Sequence, residues 1–219
     1  MIFEKISVFI NPIFEFLFPR VCFCCESDIE SDFRNPICKK CYDKLDFIRY
    51  PYCKICGRKL DGGCICYWCK RSEKPEFLFS RAVFMYNDEI SSLIVAYKYN
   101  GYRWLYKWFS EIMYQSFLSY PEFREYEAIT YIPLSQKKLR KRGYNQTALI
   151  AKEFSLKTNL RFLDNITIKV RETKNQVELS KKERMTNLKD AFKVVDEESV
   201  KGRDIIVIDD VSTTMSTLN

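Results

Sequence analysis

Apolar and polar positions follow helical and strand periods along the last two thirds of the chain. A helical spacing on one face is marked by Trp104, Leu105, Trp108, Phe109, Ile112 and Met113. Short apolar runs predict strands at residues 81–87, 128–133, 166–170, 191–195 and 204–209, and a second helix is expected near 145–157. Alternating strands and helices predict an α/β fold with a largely parallel sheet, in which ligands bind beyond the carboxyl ends of the strands.

The first part of the chain contains all ten cysteines, which mark it as a separate module. Eight of them form four C-x-x-C pairs: Cys22 and Cys25, Cys38 and Cys41, Cys53 and Cys56, and Cys66 and Cys69. Two residues between thiolates let both sulfurs bind one tetrahedral ion, so four pairs predict two zinc ions. Because four thiolates leave no open coordination position, this zinc is expected to be structural.

The pairing of these four knuckles stays open at this point. Sequential pairing gives a double zinc ribbon, whereas an interleaved order joins the first pair to the third. Cys24 and Cys64 lie outside the pairs, and each is able to replace a neighbour as ligand. Disulfides and catalytic thiol chemistry are the other interpretations, which a reducing compartment and the fourfold repetition disfavour. Gly57, directly after Cys56, fits a turn that needs a positive φ.

Composition restricts the chemistry further. The 219 residues are 47% hydrophobic and 30% charged, with a net charge of +7, which is typical of a globular chain that attracts anionic partners. The chain contains no histidine, which excludes catalytic triads and general bases built on imidazole. The length predicts a small cysteine-rich module at 1–75 and an α/β domain at 76–219.

The first eighteen residues are rich in Phe and Ile, but charged residues such as Glu4, Lys5 and Glu15 interrupt the run. This pattern excludes a membrane span and a cleavable export signal, so the cytoplasm is the expected location. We interpret the segment as an amphipathic helix packed on its own domain. A helix that rests on the inner face of the membrane is the alternative.

Two adjacent carboxylates end the last predicted strand. Asp209 and Asp210 follow the apolar run 205–208, which is typical of a strand buried on both faces. Carboxylates at this position accept hydrogen bonds from the vicinal hydroxyls of a sugar or help to hold Mg²⁺, and the hydroxyl and amide groups that follow receive a phosphate. The same residue types also cap helices, so this motif alone is a weak signal.

A basic run provides the second candidate. Five cations fall within six residues and no acid interrupts them: Lys137, Lys138, Arg140, Lys141 and Arg142. This density of charge suits pyrophosphate or a nucleic-acid backbone. A solvated loop is the alternative interpretation.

Six motifs occur in a fixed order. They are YKYNG at 97–101, YIPLS at 131–135, RGYNQ at 142–146, Gln176 with LSKKERMTN at 179–187, AF at 191–192, and IDDVSTT at 208–214. Together with the four knuckles they resemble the ComF family, the phosphoribosyltransferase-like proteins of competence and DNA uptake, over nearly the whole chain. The resemblance implies a type I phosphoribosyltransferase fold that binds 5-phosphoribosyl-1-pyrophosphate (PRPP) with Mg²⁺ and transfers the ribose phosphate to an acceptor.

The resemblance also implies roles for individual residues. Asp209 and Asp210 are expected to hold the ribose hydroxyls. The 5-phosphate is expected to be surrounded by Thr213, Thr214, Ser216 and Thr217, in a loop that also contains Ser212 and Met215. The loop after Pro133, with Ser135 and the basic run, is expected to face pyrophosphate. Further matches without an individual role are Arg142, Asn145 and Gln146, and, on an expected mobile loop, Gln176 and Arg184.

The sequence departs from that pattern near its end. Met215 stands where the family normally has glycine, and Ser212 where it has an aliphatic residue. A Cβ at position 215 enters the space that a phosphate needs, so phosphate affinity is expected to fall unless the loop rearranges. The chain stops at Asn219, where the resemblance implies a further helix and strand, so the C-terminal end is interpreted as truncated.

Two functional hypotheses follow. The first is a Mg²⁺- and PRPP-dependent phosphoribosyltransferase with an unidentified acceptor. The second is a non-catalytic factor that binds single-stranded DNA through the basic run, the zinc module and exposed aromatic rings. Both hypotheses associate the chain with DNA-uptake and recombination proteins.

Overall fold

The computed structural model of this chain describes residues 20–29, 35–71, 75–173, 188 and 190–212. Its α-helices are α1 (Lys39–Tyr42), α2 (Tyr67–Arg71), α3 (Asp88–Tyr99), α4 (Leu105–Phe117), α5 (Gln136–Arg142) and α6 (Gln146–Thr158), with a 3₁₀ turn at Pro121–Phe123. Its strands are β1 (Ala128–Tyr131), β2 (Arg161–Phe162), β3 (Thr167–Lys169), β4 (Phe192–Val194) and β5 (Ile205–Ile208). Helices α4 and α6 confirm the two helices predicted from periodicity.

A parallel sheet with the order β2–β1–β5 forms the centre of the domain. In the central strand β1 all four residues are buried, and its pairing with β5 runs from Ala128 opposite Ile205 to Tyr131 opposite Ile208. Helix α6 packs against β1 and against α4. Burial of the central strand requires apolar side chains on both of its faces, which the sequence AITY largely provides. The α/β prediction is confirmed.

The predicted burial of β5 on both faces is wrong for one residue. Ile206 and Ile208 are buried in the core, whereas Val207 is 40% exposed. Successive side chains of a strand point to opposite faces, and β5 is an edge strand of the described sheet. One of its faces therefore packs against the core while the other stays partly open.

Strands β3 and β4 do not extend the parallel sheet. They pair with each other in an antiparallel register, with Thr167 opposite Val194 and Lys169 opposite Phe192. The connection from β2 to β3 covers only residues 163–166, which is too short for the crossover that a parallel neighbour requires. The prediction of strands at 166–170 and 191–195 is confirmed, but their assignment to a largely parallel sheet is wrong.

The strand predicted at residues 81–87 is absent from the described structure. Phe84 forms one isolated bridge with Phe47, and the neighbouring backbone bonds join Ile48 N to Val83 O and Met85 N to Asp46 O, each at 2.9 Å. The segment therefore pairs with the cysteine-rich module rather than with the sheet.

Apolar packing continues from the cysteine-rich module into the α/β part. Cys22, Cys41 and Leu45 belong to the same buried cluster as Leu93 and Tyr97. The two parts of the chain therefore share one core. The division between residues 75 and 76 stays a prediction.

Arg81 provides a second connection between these parts. Its side chain is 8% exposed, its Nε donates to Glu122 Oε1 at 2.9 Å, and NH1 donates to the Lys54 carbonyl at 3.0 Å. The guanidinium also lies 4.7 Å from the ring centre of Tyr52 and 5.7 Å from that of Tyr120. A buried guanidinium needs this combination of acceptors and ring faces.

Among the described residues, no helix combines the length and apolarity that a membrane crossing requires.

Candidate zinc sites and candidate ligand-binding site

The cysteines gather into two groups of four. The first group is Cys22, Cys25, Cys38 and Cys41, and the second is Cys53, Cys56, Cys66 and Cys69. Within each group the Sγ atoms lie within 4.8 Å of one another. A tetrahedron with Zn–S bonds of about 2.3 Å has edges of roughly 3.8 Å, so each group fits one zinc ion. Sequential pairing is confirmed and the interleaved order is wrong.

Distances between sulfurs also decide against disulfides. Cys25 Sγ lies 3.6 Å from Cys38 Sγ, and Cys56 Sγ lies 3.7 Å from Cys66 Sγ. These separations match two thiolates on one ion and are far longer than a sulfur–sulfur bond of about 2.05 Å. All ten cysteines are free in the structure. The groups therefore have the chemistry of two structural zinc sites.

The backbone prepares each knuckle for this role. Glu26 N donates to Cys22 O and Gly57 N donates to Cys53 O, both at 2.9 Å. The amide of Cys66 donates to Cys53 Sγ at 3.3 Å, an interaction that favours the thiolate. Gly57 has a φ of +71°, and a Cβ there would lie 2.5 Å from the Ser80 carbonyl oxygen. The predicted need for glycine after Cys56 is confirmed, and the close backbone approach adds a second reason.

The two remaining cysteines are not members of either group. Cys24 Sγ donates to the Glu89 carbonyl at 3.5 Å, and burial raises the pKa of its thiol to about 12. Cys24 is therefore a protonated donor that joins the first ribbon to helix α3. Cys64 is exposed, and its carbonyl accepts from Lys54 N at 2.8 Å.

The second candidate site lies at the carboxyl end of β5. Asp210 Oδ2 lies 2.7 Å from Lys98 Nζ and 2.6 Å from Gln146 Nε2. Lys98 is in the last turn of α3, and Gln146 is the first residue of α6. A cation and an amide donor from two helices thus converge on one carboxylate oxygen, which fixes the orientation of the carboxylate.

Further contacts extend this group of residues. Gln146 Oε1 accepts from Arg142, whose guanidinium lies 5.3 Å from the ring centre of Tyr99. Tyr97 OH donates to the Gln146 carbonyl at 2.8 Å, and Tyr144 OH donates to the Tyr97 carbonyl. Three of the motifs recognised in the sequence, YKYNG, RGYNQ and IDDVSTT, therefore meet here.

Asn145 has a different task from its neighbours. Its side-chain oxygen accepts from Thr147 N at 3.0 Å and from Ala148 N at 3.4 Å, which caps α6. Its Nδ2 donates to the Ile132 carbonyl at 3.2 Å, just beyond β1. Asn145 therefore fixes where α6 begins, which places Gln146 opposite Asp210.

Asp209 is electrostatically different from Asp210. Burial, together with the neighbouring Asp210 carboxylate, raises the pKa of Asp209 to about 7. Asp209 Oδ1 accepts from the Asp210 amide at 2.8 Å. Lys98 and Gln146 are directed at Asp210, whereas burial is the main influence on the Asp209 carboxyl.

Lys169 on β3 contributes a second cation near Asp209. Burial, with a further contribution from Lys138, lowers the pKa of Lys169 to about 8. Its Nζ donates to Thr173 Oγ1 at 2.7 Å and lies 5.3 Å from the ring centre of Phe192. An amine that is partly removed from solvent in this way suits an anionic ligand.

The basic run forms helix α5 rather than the predicted loop. Ser135 caps it by accepting from Lys138 N at 3.4 Å, and Gly143 ends it with a φ of 81°. Helical spacing places Lys138 and Arg142 on one partly buried face, while Lys137, Arg140 and Lys141 are exposed. Only two of the five cations thus turn toward the domain, and the interpretation of the run as a loop is wrong.

The other predicted site residues divide into two groups. Pro133 follows β1 and is partly buried, and Ser212 is exposed after β5. The described residues do not include Thr213, Thr214, Met215, Ser216, Thr217, Gln176 or Arg184.

Sequence reasoning missed Lys98 and Lys169 as members of this site. Lys98 lies within the quoted YKYNG motif, but helical spacing alone did not indicate what its amine faces. The signal for Lys169 is a single charged residue inside the apolar strand ITIKV. Such a residue is more informative than a charge in a polar segment, because burial requires a partner or a ligand.

Known proteins match the cysteine-rich part of the chain and also the chain over most of its length. Residues 13–70 match the family model described as a double zinc ribbon domain. Competence protein F of Haemophilus influenzae is 30% identical over 195 residues, which cover 85% of this chain and 82% of that protein. Competence protein ComFC of Bacillus subtilis is 25% identical over 215 residues, which cover 91% and 85%.

A shorter part of the chain matches a relative with a different name. DNA utilization protein YhgH of Escherichia coli (strain K12) is 35% identical over 92 residues, which cover 42% of this chain and 40% of that protein. No solved structure gives a significant match. The extent of the match to Competence protein F, together with the double zinc ribbon, shows that the chain belongs to the ComF family.

Proposed function

We propose that this chain acts in DNA uptake and that the site at the carboxyl end of β5 binds a phosphorylated ribose. The names of its relatives, competence proteins and a DNA utilization protein, support the role in DNA uptake. PRPP with Mg²⁺ is the ligand that the family resemblance implies. The observation that carries the proposal is the convergence of Lys98 and Gln146 on the Asp210 carboxylate.

Ribose recognition requires hydrogen-bond acceptors in a fixed position. A carboxylate accepts from vicinal hydroxyls, and in Asp210 two donors bind one oxygen, Oδ2, and hold the group in place. Asp209, with a pKa of about 7, lies directly beside it. The pair therefore provides one acceptor in a fixed orientation and one carboxyl group with a raised pKa.

Phosphate recognition requires positive charge close to these carboxyls. Lys169 and Lys138 influence each other electrostatically, and Arg142 reaches Gln146 from the opposite helix. Lys98 on α3 and Lys169 on β3 are the cations that act on Asp209, so positive charge reaches this carboxyl from two elements. Such charge suits a phosphorylated ligand more than an uncharged sugar.

The carboxyl pair also fits Mg²⁺. This ion prefers carboxylate and phosphate oxygens, and the raised pKa of Asp209 shows that the local positive charge does not fully balance both acids. Asp209 and Asp210 would hold the ion, which would neutralise phosphate charge when it is bound with the ligand. Ionised Asp209 is the form that binds a cation.

Isothermal titration of Mg²⁺-PRPP into the chain tests the proposal. We expect binding by the chain, tighter binding by Met215→Gly, and at least about a tenfold loss in Asp210→Asn, since a charged hydrogen bond contributes about 1.5–3 kcal/mol. Asp204→Asn, at an acid just before β5, is the matched control and should bind normally. If neither the chain nor Met215→Gly binds, the ligand proposal is wrong.

Binding and catalysis are separated by a second measurement. Pyrophosphate release in the presence of a candidate nucleobase or amine acceptor would identify a transferase. Binding of Mg²⁺-PRPP without release for any acceptor would indicate a ligand-binding protein that lacks transferase activity. Both outcomes leave the role in DNA uptake intact, because that role rests on the relatives rather than on turnover.

A further inference from the structure

Helix α3 connects the first group of cysteines with the candidate ligand site. In its first turn the carbonyl of Glu89 accepts from Cys24 Sγ at 3.5 Å. In its last turn the Nζ atom of Lys98 lies 2.7 Å from Asp210 Oδ2. One continuous helix therefore contacts a zinc knuckle at its beginning and the carboxylate of the ligand site at its end.

Both knuckles of the first group contact the beginning of α3. Cys24 lies between the two ligands of the first knuckle. After the second knuckle, Lys44 N donates to the Cys41 carbonyl at 3.2 Å, and the Lys44 carbonyl accepts from Nδ2 of Asn87, the residue that caps α3, at 3.1 Å. The Lys44 amine also lies 3.9 Å from a carboxylate oxygen of Glu89. The arrangement of the first four sulfurs thus determines where α3 begins.

The end of α3 is held from two sides. Phe23, also in the first knuckle, has its ring centre 4.6 Å from that of Tyr102 in an edge-on contact, and Tyr102 N donates to the Ala96 carbonyl in α3 at 3.3 Å. On the other side, the buried Tyr97 donates from its hydroxyl to the Gln146 carbonyl at 2.8 Å. The first knuckle and the ligand site therefore hold the same turn of the helix.

The second group of cysteines makes different contacts. Ser80 N donates to the Ile55 carbonyl at 2.7 Å, and Arg81 NH1 donates to the Lys54 carbonyl at 3.0 Å. Arg81 in turn pairs with Glu122, after α4. These contacts lie outside α3 and outside the ligand site, so the second group serves as an internal control for the first.

We propose that α3 couples the first group of cysteines to the Asp210 site, with Cys24 and Lys98 as the positioning residues at its two ends. Sulfurs that share one ion fix the knuckle, and the knuckle fixes the helix that presents Lys98 to Asp210. Coupling between two sites is reciprocal, so a ligand at Asp210 raises the zinc affinity of the first group by the factor by which zinc raises the ligand affinity. The proposal rests on the proposed function for its ligand, Mg²⁺-PRPP, but a measurement without ligand tests it as well.

Competition with a zinc-selective chromophoric chelator measures the zinc affinity of both groups in the full chain. Cys53→Ser retains only the first group and so identifies the transition that belongs to it. Saturating Mg²⁺-PRPP should raise the zinc affinity of the first group about fivefold or more and should change that of the second by less than about twofold. Zinc captured by PRPP itself would lower the apparent affinity of both groups, and Mg²⁺ alone should change neither.

Substitution of Cys24 tests the contact between the knuckle and the helix without removing a metal ligand. Cys24→Ala should retain two zinc ions by native mass spectrometry but bind Mg²⁺-PRPP about threefold or more weakly, with a smaller effect of the ligand on the first zinc ion. Cys24→Ser keeps a donor for the Glu89 carbonyl and should bind nearly as well as the parent chain. Cys64→Ala, at an exposed cysteine outside both groups, is the matched control and should bind normally.

Two results with bound Mg²⁺-PRPP overturn the proposal: an unchanged zinc affinity of the first group, and an equal gain in both groups. If the parent chain binds no Mg²⁺-PRPP, the proposed ligand is wrong, and the coupling is tested without it. Asp210→Asn removes the ionic partner of Lys98 and should lower the zinc affinity of the first group about fivefold, with the second unchanged. Equal zinc affinities of Asp210→Asn and the parent chain would reject the coupling and leave the ligand proposal to its own titration.

Discussion

The Nζ atom of Lys98 lies 2.7 Å from Oδ2 of Asp210 and thereby joins the end of α3 to the carboxyl end of β5. The side chains of this pair are only 14% and 15% exposed, so solvent and salt screen their attraction weakly. Gln146 donates to the same oxygen from the start of α6. The position of the candidate ligand-binding site thus depends on three elements at once.

Removal of the Lys98 charge should affect both stability and ligand binding. Lys98→Met leaves Asp210 mostly buried without its cation, which is expected to lower the free energy of unfolding by about 2–4 kcal/mol at pH 7. Urea unfolding measures this loss, and titration calorimetry should show weaker binding of Mg²⁺-PRPP. Lys107→Met, at an exposed lysine of α4, should change stability by less than about 0.5 kcal/mol. Equal stability of the two variants would contradict the assignment.

The raised pKa of Asp209 predicts a pH-dependent contribution to stability. Between its ordinary value of 3.8 and about 7, the folded chain keeps a proton that the unfolded chain has released, so this contribution falls as pH rises through that interval. Asp209→Asn removes this titration. The free energy of unfolding of the variant, minus that of the parent chain, should therefore be about 1–3 kcal/mol larger at pH 8 than at pH 4. Urea unfolding of both proteins at the two pH values measures this difference. A difference that does not change with pH would show that Asp209 is ionised normally.

The same group predicts how ligand affinity depends on pH. If the ligand and Mg²⁺ bind the ionised form of Asp209, affinity should rise as pH increases toward about 7 and level off above it. Calorimetric titrations across this range measure the effect. Asp209→Asn should show weaker binding with a flatter pH profile, and a parent profile that is equally flat would contradict the prediction.

Metal content tests the two groups of cysteines. We expect two zinc ions per native chain and one in each of Cys41→Ser and Cys53→Ser, because each substitution removes one ligand from a different group. Native mass spectrometry counts the ions. Cys64→Ser, outside both groups, should retain two. A loss of both ions in either single variant would mean that the two sites are not independent.

Gly57→Ala should destabilise the second ribbon. The left-handed backbone alone costs an alanine about 1–2 kcal/mol, and its Cβ would lie 2.5 Å from the Ser80 carbonyl oxygen. Thermal unfolding should show a lower midpoint, and the second zinc ion should be lost to a chelator sooner. Gly62→Ala is the control, since a Cβ there meets no atom within 4 Å. The prediction fails if the two variants unfold alike.

Local patterns in the sequence determined much of this protein. The C-x-x-C spacing predicts metal knuckles because two sulfurs separated by two residues reach one ion, whatever the rest of the fold does. Helices α4 and α6 and strands β1 and β5 follow from periodicity, since burial of one face is a property of the segment. Asp209 and Asp210 were predicted at the end of a strand for the same reason.

Tertiary structure alone decided which of these segments meet. Pairing of the knuckles depends on how the chain turns between them. The segment predicted as a strand at 81–87 forms its backbone hydrogen bonds with residues 46–48 and not with the sheet, and this choice depends on the folded arrangement. Lys98 and Gln146 reach the Asp210 carboxylate from elements that are far from it in the chain. The shifted pKa values of Asp209 and Lys169 likewise arise only in the folded chain, because desolvation and neighbouring charges are properties of the folded surroundings and not of the residue type.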